Sequence, residues 1–197
     1  MMRTCLLLAA AALITAPLLD VSISPAVAQS RFSTSDLVDS LSNLETTENI
    51  DVAMLRQQAI IRARTAAPAV NRPPIAEYLF KLPQITVEVQ FKLDSAVIRP
   101  SSYETLGSIA DTLLHPYLLG YRFLVIGHTD ATGRREYNIG LSQRRADAIR
   151  EALVTVFKIS PQRIQAIGLG EEQLQDPANP AAAINRRVQI VTIGKTR

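Results

Sequence analysis

The densest polar run in this chain is Gly127-His128-Thr129-Asp130-Ala131-Thr132-Gly133, followed by Tyr137-Asn138 and then Leu141-Ser142-Gln143-Arg144-Arg145-Ala146. The run leaves the end of an apolar, strand-like stretch, and ligands gather at strand ends in open α/β sheets because loops converge there. Asp130 falls in that loop, and Arg145 lies two turns into the helical pattern that follows, fifteen residues on. The two can face one another across the crevice between strand and helix. Two readings are open. The plainer is an ion pair. The sharper is a clamp for a zwitterion, with Asp130 accepting from an ammonium while Arg145 grips a carboxylate in its planar fork.

Other chemistry has less behind it. The chain holds two histidines, His128 and His115, and no His/Cys/Glu cluster stands at metal-ligand spacing, so neither a metal nor another cofactor is expected. His128 is expected to order its turn by hydrogen bonding. Glu171-Glu172 reads as a solvated loop, with nothing to place it opposite Asp130 across a sugar-sized cleft as a glycosidase pair requires. Gly168-x-Gly170 lacks the third glycine and the helix of a nucleotide fingerprint. Arg186-Arg187 opens a strand, so one of the pair should point outward and the other toward the site.

These residues need a scaffold, and the hydrophobic pattern supplies one. Ile85, Val87, Val89 and Phe91 alternate like a half-buried strand; Tyr121 to Ile126 is more continuously apolar; Ile164 to Ile167 and Val188 to Ile193 are two further strands. Ser101 and Glu104 have capping-box spacing for a helix that buries Leu106, Ile109, Ala110 and Leu113 and stops at Pro116. Asn138 to Phe157 is a second helix. Strands alternating with helices predict an α/β (α+β sandwich) fold, a βαβαββ-like mixed sheet of about four strands with helices on one face, preceded by a helical and Pro-rich spacer.

Five segments appear in order: Phe91-Lys92-Leu93-Asp94-Ser95-Ala96; the Gly127 to Asp130 turn; Tyr137 through Ala146; Gly168-Leu169-Gly170-Glu171; and Asn185-Arg186-Arg187-Val188. Together they resemble the OmpA-like C-terminal domain shared by outer-membrane protein A, peptidoglycan-associated lipoprotein and the flagellar stator's periplasmic domain. The resemblance runs from about Ile85 to Ile193. It implies non-covalent, non-catalytic binding to peptidoglycan through the diaminopimelate of the stem peptide. The family's ammonium-binding aspartate falls on Asp130 and its carboxylate-binding arginine on Arg145, with supporting contacts at Asp94, Thr132, Asn138 and Arg187. One departure touches the rim of the implied site: the family's Gly-Arg-Ala before Asn-Arg-Arg is here Ala181-Ala182-Ala183-Ile184.

Met1 to Ser30 opens with Arg3, runs apolar from Cys5 to Leu19 and ends with small residues at Ala26 and Ala28, as a secretory signal cleaved after Ala28 does. The predicted division is 1–28 signal, 29–82 spacer and 83–197 binding domain. Within the spacer, Asp51 to Arg64 patterns as a helix bearing Arg56, Arg62 and Arg64, either a solvated or docked surface helix or one that contacts lipid or an envelope protein. The sequence leaves open a retained N-terminal anchor in a stator or secretion complex, and a hydrolase acting on peptidoglycan. Location in the periplasm or at the outer membrane of a Gram-negative-type envelope follows from the signal and the resemblance.

The charges fit this reading. Of 197 residues 21 are basic and 18 acidic, for a net +3. Seventeen of the cations are arginine, and they are dispersed. A nucleic-acid surface wants a contiguous basic face with aromatics, so no nucleic-acid partner is expected. With one Cys, an internal disulfide framework is excluded.

Overall fold

The computed structural model describes residues 33–42, 50–64 and 73–196. The predicted signal and its cleavage point lie outside the described residues. Four strands, β1 (Gln84–Val87), β2 (Tyr121–His128), β3 (Ile164–Gly170) and β4 (Val188–Lys195), form one sheet in the order β1-β4-β2-β3. β4 runs antiparallel to both β1 and β2, whereas β2 and β3 are parallel. A parallel pair needs a crossover, and α4 (Arg135–Thr155) is that crossover. Helix α3 (Tyr103–Leu113) connects β1 to β2.

The long apolar run of β2 has a direct cause, since both faces of the sheet are buried. Phe123 and Val125 point to one side with Ile190, where α3 and α4 contribute Leu106, Ile109, Leu113, Ile149 and Leu153. Leu124 and Ile126 point to the other with Ile167, Leu169, Val191 and Ile193. The expected helices on one face are α3 and α4, and α1 (Thr34–Ser42) joins them through Leu37, Val38 and Leu41. The opposite face is covered as well. Helix α2 (Val52–Ala63) lays Leu55, Ala59 and Ala63 on it, beside Leu79 of the 3₁₀ turn Glu77–Lys81.

The described parts of the segment read as a spacer are therefore docked on the sheet. Local chemistry starts both helices. Ser33 Oγ accepts from the Asp36 amide at 3.2 Å while Asp36 accepts from the Ser33 amide at 3.3 Å, a reciprocal cap for α1. Asp51 caps α2 by accepting from Met54 N at 2.9 Å. Polar ties add to the packing: Thr192 Oγ1 donates to Leu41 O at 2.7 Å, and Arg56 Nη2 to Ala166 O at 3.0 Å. No helix among the described residues is long and apolar enough to cross a membrane.

Leu55 is 2% exposed, so Leu55→Ala is expected to lower unfolding free energy by about 2–4 kcal/mol. Urea denaturation measures this, and a cost near zero would mean that α2 stands free of the sheet in solution.

Two local expectations gave way to tertiary contacts. The capping box at Ser101 and Glu104 is replaced by a 3₁₀ turn, Pro100–Ser102, that runs straight into α3. Ser102 Oγ accepts instead from Gln90 N at 2.8 Å, pinning the preceding chain. The first strand is also shorter than its alternation suggested. Pairing ends at Val87, and Phe91 then bridges to Ile98 across a tight excursion. At its tip Asp94 takes φ = 52°, a left-handed conformation that aspartate tolerates better than most residues.

Candidate functional site

The polar loop leaving β2 is placed by how tightly α4 lies on the strand ends. A Cβ on Gly168 would come within 2.1 Å of Gln143 N, and one on Gly127 within 2.5 Å of Ser142 O. Only glycine at these points lets the helix backbone approach this closely. The contact is then stitched by hydrogen bonds: Gly168 N donates to Gln143 Oε1 at 2.9 Å, and Gly170 N to Ser142 Oγ at 2.8 Å. The helix beginning at Arg135 thus holds Asn138 against the 129–133 loop and carries Arg145 to the chain at Phe91 and Ser95.

Asn138, 4% exposed, organises that loop from inside. Its Nδ2 donates to Glu171 Oε2 at 2.8 Å, Thr132 O at 3.1 Å and Asp130 O at 3.3 Å. Asp130 Oδ1 accepts from Thr132 N at 3.0 Å, so the carboxylate is fixed by its own turn. Its Oδ2 receives Arg186 Nη1 at 2.6 Å. Burial would raise the Asp130 carboxyl, but the bonds from Arg186 and Thr132 and the Arg186 charge together hold it below its usual value. It is an anion at neutral pH.

Arg145 does not pair with Asp130. Its Nε donates to Ser95 O at 3.0 Å, and its guanidinium lies over the Phe91 ring at 4.9 Å. Among the described residues its two terminal nitrogens make no hydrogen bond. Burial lowers its pKa; Tyr137, Asp94 and Asp130 oppose that shift, and Arg186 adds to it. The ion-pair reading of Asp130 and Arg145 is thereby set aside, because each is satisfied elsewhere. What remains is an anion and a cation within electrostatic reach, the anion covered by an exposed arginine and the cation half-buried with its terminal nitrogens uncommitted.

The other expected contacts divide. Asp94 accepts from the Tyr137 hydroxyl, and that bond raises the phenol above its usual pKa. Thr132 is exposed at the loop. Arg187 is 5% exposed and faces inward: Nη2 donates to Gln173 O at 3.0 Å, and burial lowers its pKa to about 10. Like Asn138, it shapes the loops behind the site and offers little surface to a ligand. Arg186, the outward member of the pair, is the one that reaches Asp130.

Glu171-Glu172, expected to be solvated, are 5% and 2% exposed. Glu171 is drawn in by Asn138. Glu172 receives Arg135 Nε at 2.9 Å and Arg135 Nη2 at 2.7 Å, with Arg62 Nε of α2 at 3.8 Å. A buried carboxylate needs such partners, and these bring the end of α2 to the start of α4 beside the site. His128 Nε2 donates to Gln189 Oε1 at 2.7 Å, whose amide donates on to Gln84 at 2.9 Å. Burial, with the Arg187 charge, pushes His128 well below its usual pKa, the bond to Gln189 opposing, so it is a neutral structural group. Among the described residues no three His, Cys, Asp or Glu side chains converge as a metal site would.

Arg186, Tyr137 and Phe91 are neighbours of the candidate site residues that the pattern of types and spacing did not assign. All three stand in the ordered sequence segments, but spacing along the chain could not show which side chain crosses to which loop.

The chain is 37% identical over 118 residues to outer membrane porin F of Pseudomonas fluorescens, covering 59% of this chain and 34% of that one. It is 35% identical over 107 residues to the peptidoglycan-associated lipoprotein of Legionella pneumophila, covering 51% and 57%. It thus spans about a third to three fifths of the length of these relatives. The crystal structure of the peptidoglycan-associated lipoprotein from Burkholderia pseudomallei aligns with 53% of this chain and 87% of its own, at 33% identity and a TM-score of 0.43. Residues 90–188, just over half of the chain and holding Asp94, Asp130, Arg145 and both arginines at 186 and 187, match the model of the OmpA family, and the chain belongs to that family.

Proposed function

We propose that this protein is a non-catalytic anchor of the cell envelope that binds peptidoglycan through the diaminopimelate of its stem peptide. The observation that carries the reading is the separation of charge at the site. Asp130 presents a fixed carboxylate, and Arg145 presents a guanidinium braced by Ser95 and Phe91 with its terminal nitrogens available. Diaminopimelate carries an ammonium beside a carboxylate, the pair of charges this arrangement complements. The names of the relatives, a peptidoglycan-associated lipoprotein and an outer membrane porin, support placement at the wall and outer membrane. An export signal over residues 1–28 completes the proposal.

Two charge-assisted contacts at ~1.5–3 kcal/mol each, less the cost of immobilising the ligand, predict affinity no tighter than about tens of micromolar, and on the order of millimolar, per stem peptide. The wall presents that peptide at high density, so rebinding supplies the retention that one site lacks. Co-sedimentation with purified sacculi tests the reading. Wild type is expected to pellet and Asp130→Ala to stay in the supernatant; equal pelleting of the two would refute it.

A further inference from the structure

Asp130 is already occupied. Arg186 Nη1 sits 2.6 Å from its Oδ2, where the ammonium of a ligand has to go. The Arg186 side chain is 50% exposed, against 14% for Asp130, so the arginine is the partner that can leave. It also has somewhere to go. Arg145 lies within electrostatic reach of both Arg186 and Asp130. A carboxylate held by Arg145 therefore stands within range of an arginine just released from Asp130. The three residues carry two positive charges and one negative.

We propose that Arg186 is a placeholder that makes this site select ligands bearing a carboxylate beside their ammonium. The inference rests on the diaminopimelate reading and deepens it by naming the residue that sets the preference. The physical basis is an exchange of partners. A simple amine entering the site breaks the Arg186–Asp130 pair and returns Arg186 to water with nothing in exchange. A zwitterion breaks the same pair but re-forms it in two halves: its ammonium replaces Arg186 on Asp130, and its carboxylate receives the freed guanidinium alongside that of Arg145. A carboxylate has lone pairs enough for two such donors. The discrimination therefore depends on Arg186 being charged and paired in the free protein.

The same contact would also serve a rivet, with Arg186 joining the start of β4 to the 129–133 loop. The two roles differ in what removing the side chain does. Loss of a rivet weakens every ligand alike. Loss of a placeholder favours the simple amine, which no longer has a pair to break.

Titration calorimetry on the full chain separates them, using two soluble stem tripeptides, one ending in diaminopimelate and one ending in lysine at the same place. Wild type is expected to prefer the diaminopimelate peptide. In Arg186→Met the lysine peptide should gain about five-fold, the worth of one exposed ion pair, while the diaminopimelate peptide changes less. Arg186→Lys, which keeps the charge, should hold the preference near that of wild type. An unchanged ratio in Arg186→Met, whether both affinities stay or both fall together, would overturn the placeholder and leave the diaminopimelate reading standing. Failure of wild type to bind the diaminopimelate peptide would remove both.

Discussion

Gly168→Ala is expected to destabilise the domain by about 3 kcal/mol or more, a lowering of the melting temperature on the order of 6–12 °C. The new methyl would sit 2.1 Å from Gln143 N, 2.5 Å from Gln143 Cα and 2.5 Å from Ser142 Oγ. Two of the three obstructing atoms are helix backbone, which cannot turn aside as a side-chain tip can. Either α4 lifts off β3 or the strand end bends. Both displace Ser142 and Gln143, whose side chains hold the amides of Gly170 and Gly168. Gly120→Ala is the matched control, since a Cβ there meets nothing within 4 Å, and it should change stability by less than about 0.5 kcal/mol. Thermal denaturation of the two variants side by side decides this; equal melting temperatures would show that the helix is not seated on the strand as described.

The second large effect concerns ligand capture. Arg145→Ala is expected to weaken binding of a diaminopimelate tripeptide by about ten- to hundred-fold, the range of one charge-assisted bidentate contact. Folding should survive, because Arg145 is only half-buried and its single hydrogen bond goes to a backbone carbonyl. Arg145→Lys should recover only part of the loss. Lysine keeps a positive charge but has no planar fork and cannot stack on Phe91 in the same way. Full recovery in Arg145→Lys would mean that the site needs charge alone.

The parts of this molecule that were legible in its sequence are those governed by short-range pattern. The continuous apolar run at Tyr121 to Ile126 announced a strand, and the polar loop after it marked the candidate site. Register, end points and the second layer were less visible. The Asp51 to Arg64 helix patterned as either docked or free because its buried stripe is mostly small: Leu55 is joined by Ala59 and Ala63. A stripe that thin is ambiguous until the apolar face it covers is known. Glu171-Glu172 looked solvated because two adjacent carboxylates usually are. Their partners, Asn138, Arg135 and Arg62, come from α4 and α2, far away along the chain. The same holds at the site. Asp130 and Arg145 were identifiable by type and position, but the Arg186 that occupies Asp130 is fifty-six residues away and reaches it only through the sheet.

The proposed role of Arg145, reading the free carboxylate of diaminopimelate, is isolated by one titration. Wild type and Arg145→Ala are each titrated with the stem tripeptide in its free and its carboxyl-amidated form. Amidation removes the anion without changing the ammonium or the length of the ligand. Amidation is expected to weaken wild type by about ten-fold or more and to leave Arg145→Ala nearly unaffected, because the variant has already lost the group proposed to sense the charge. Equal losses on amidation in both proteins, or none in wild type, would rule that role out.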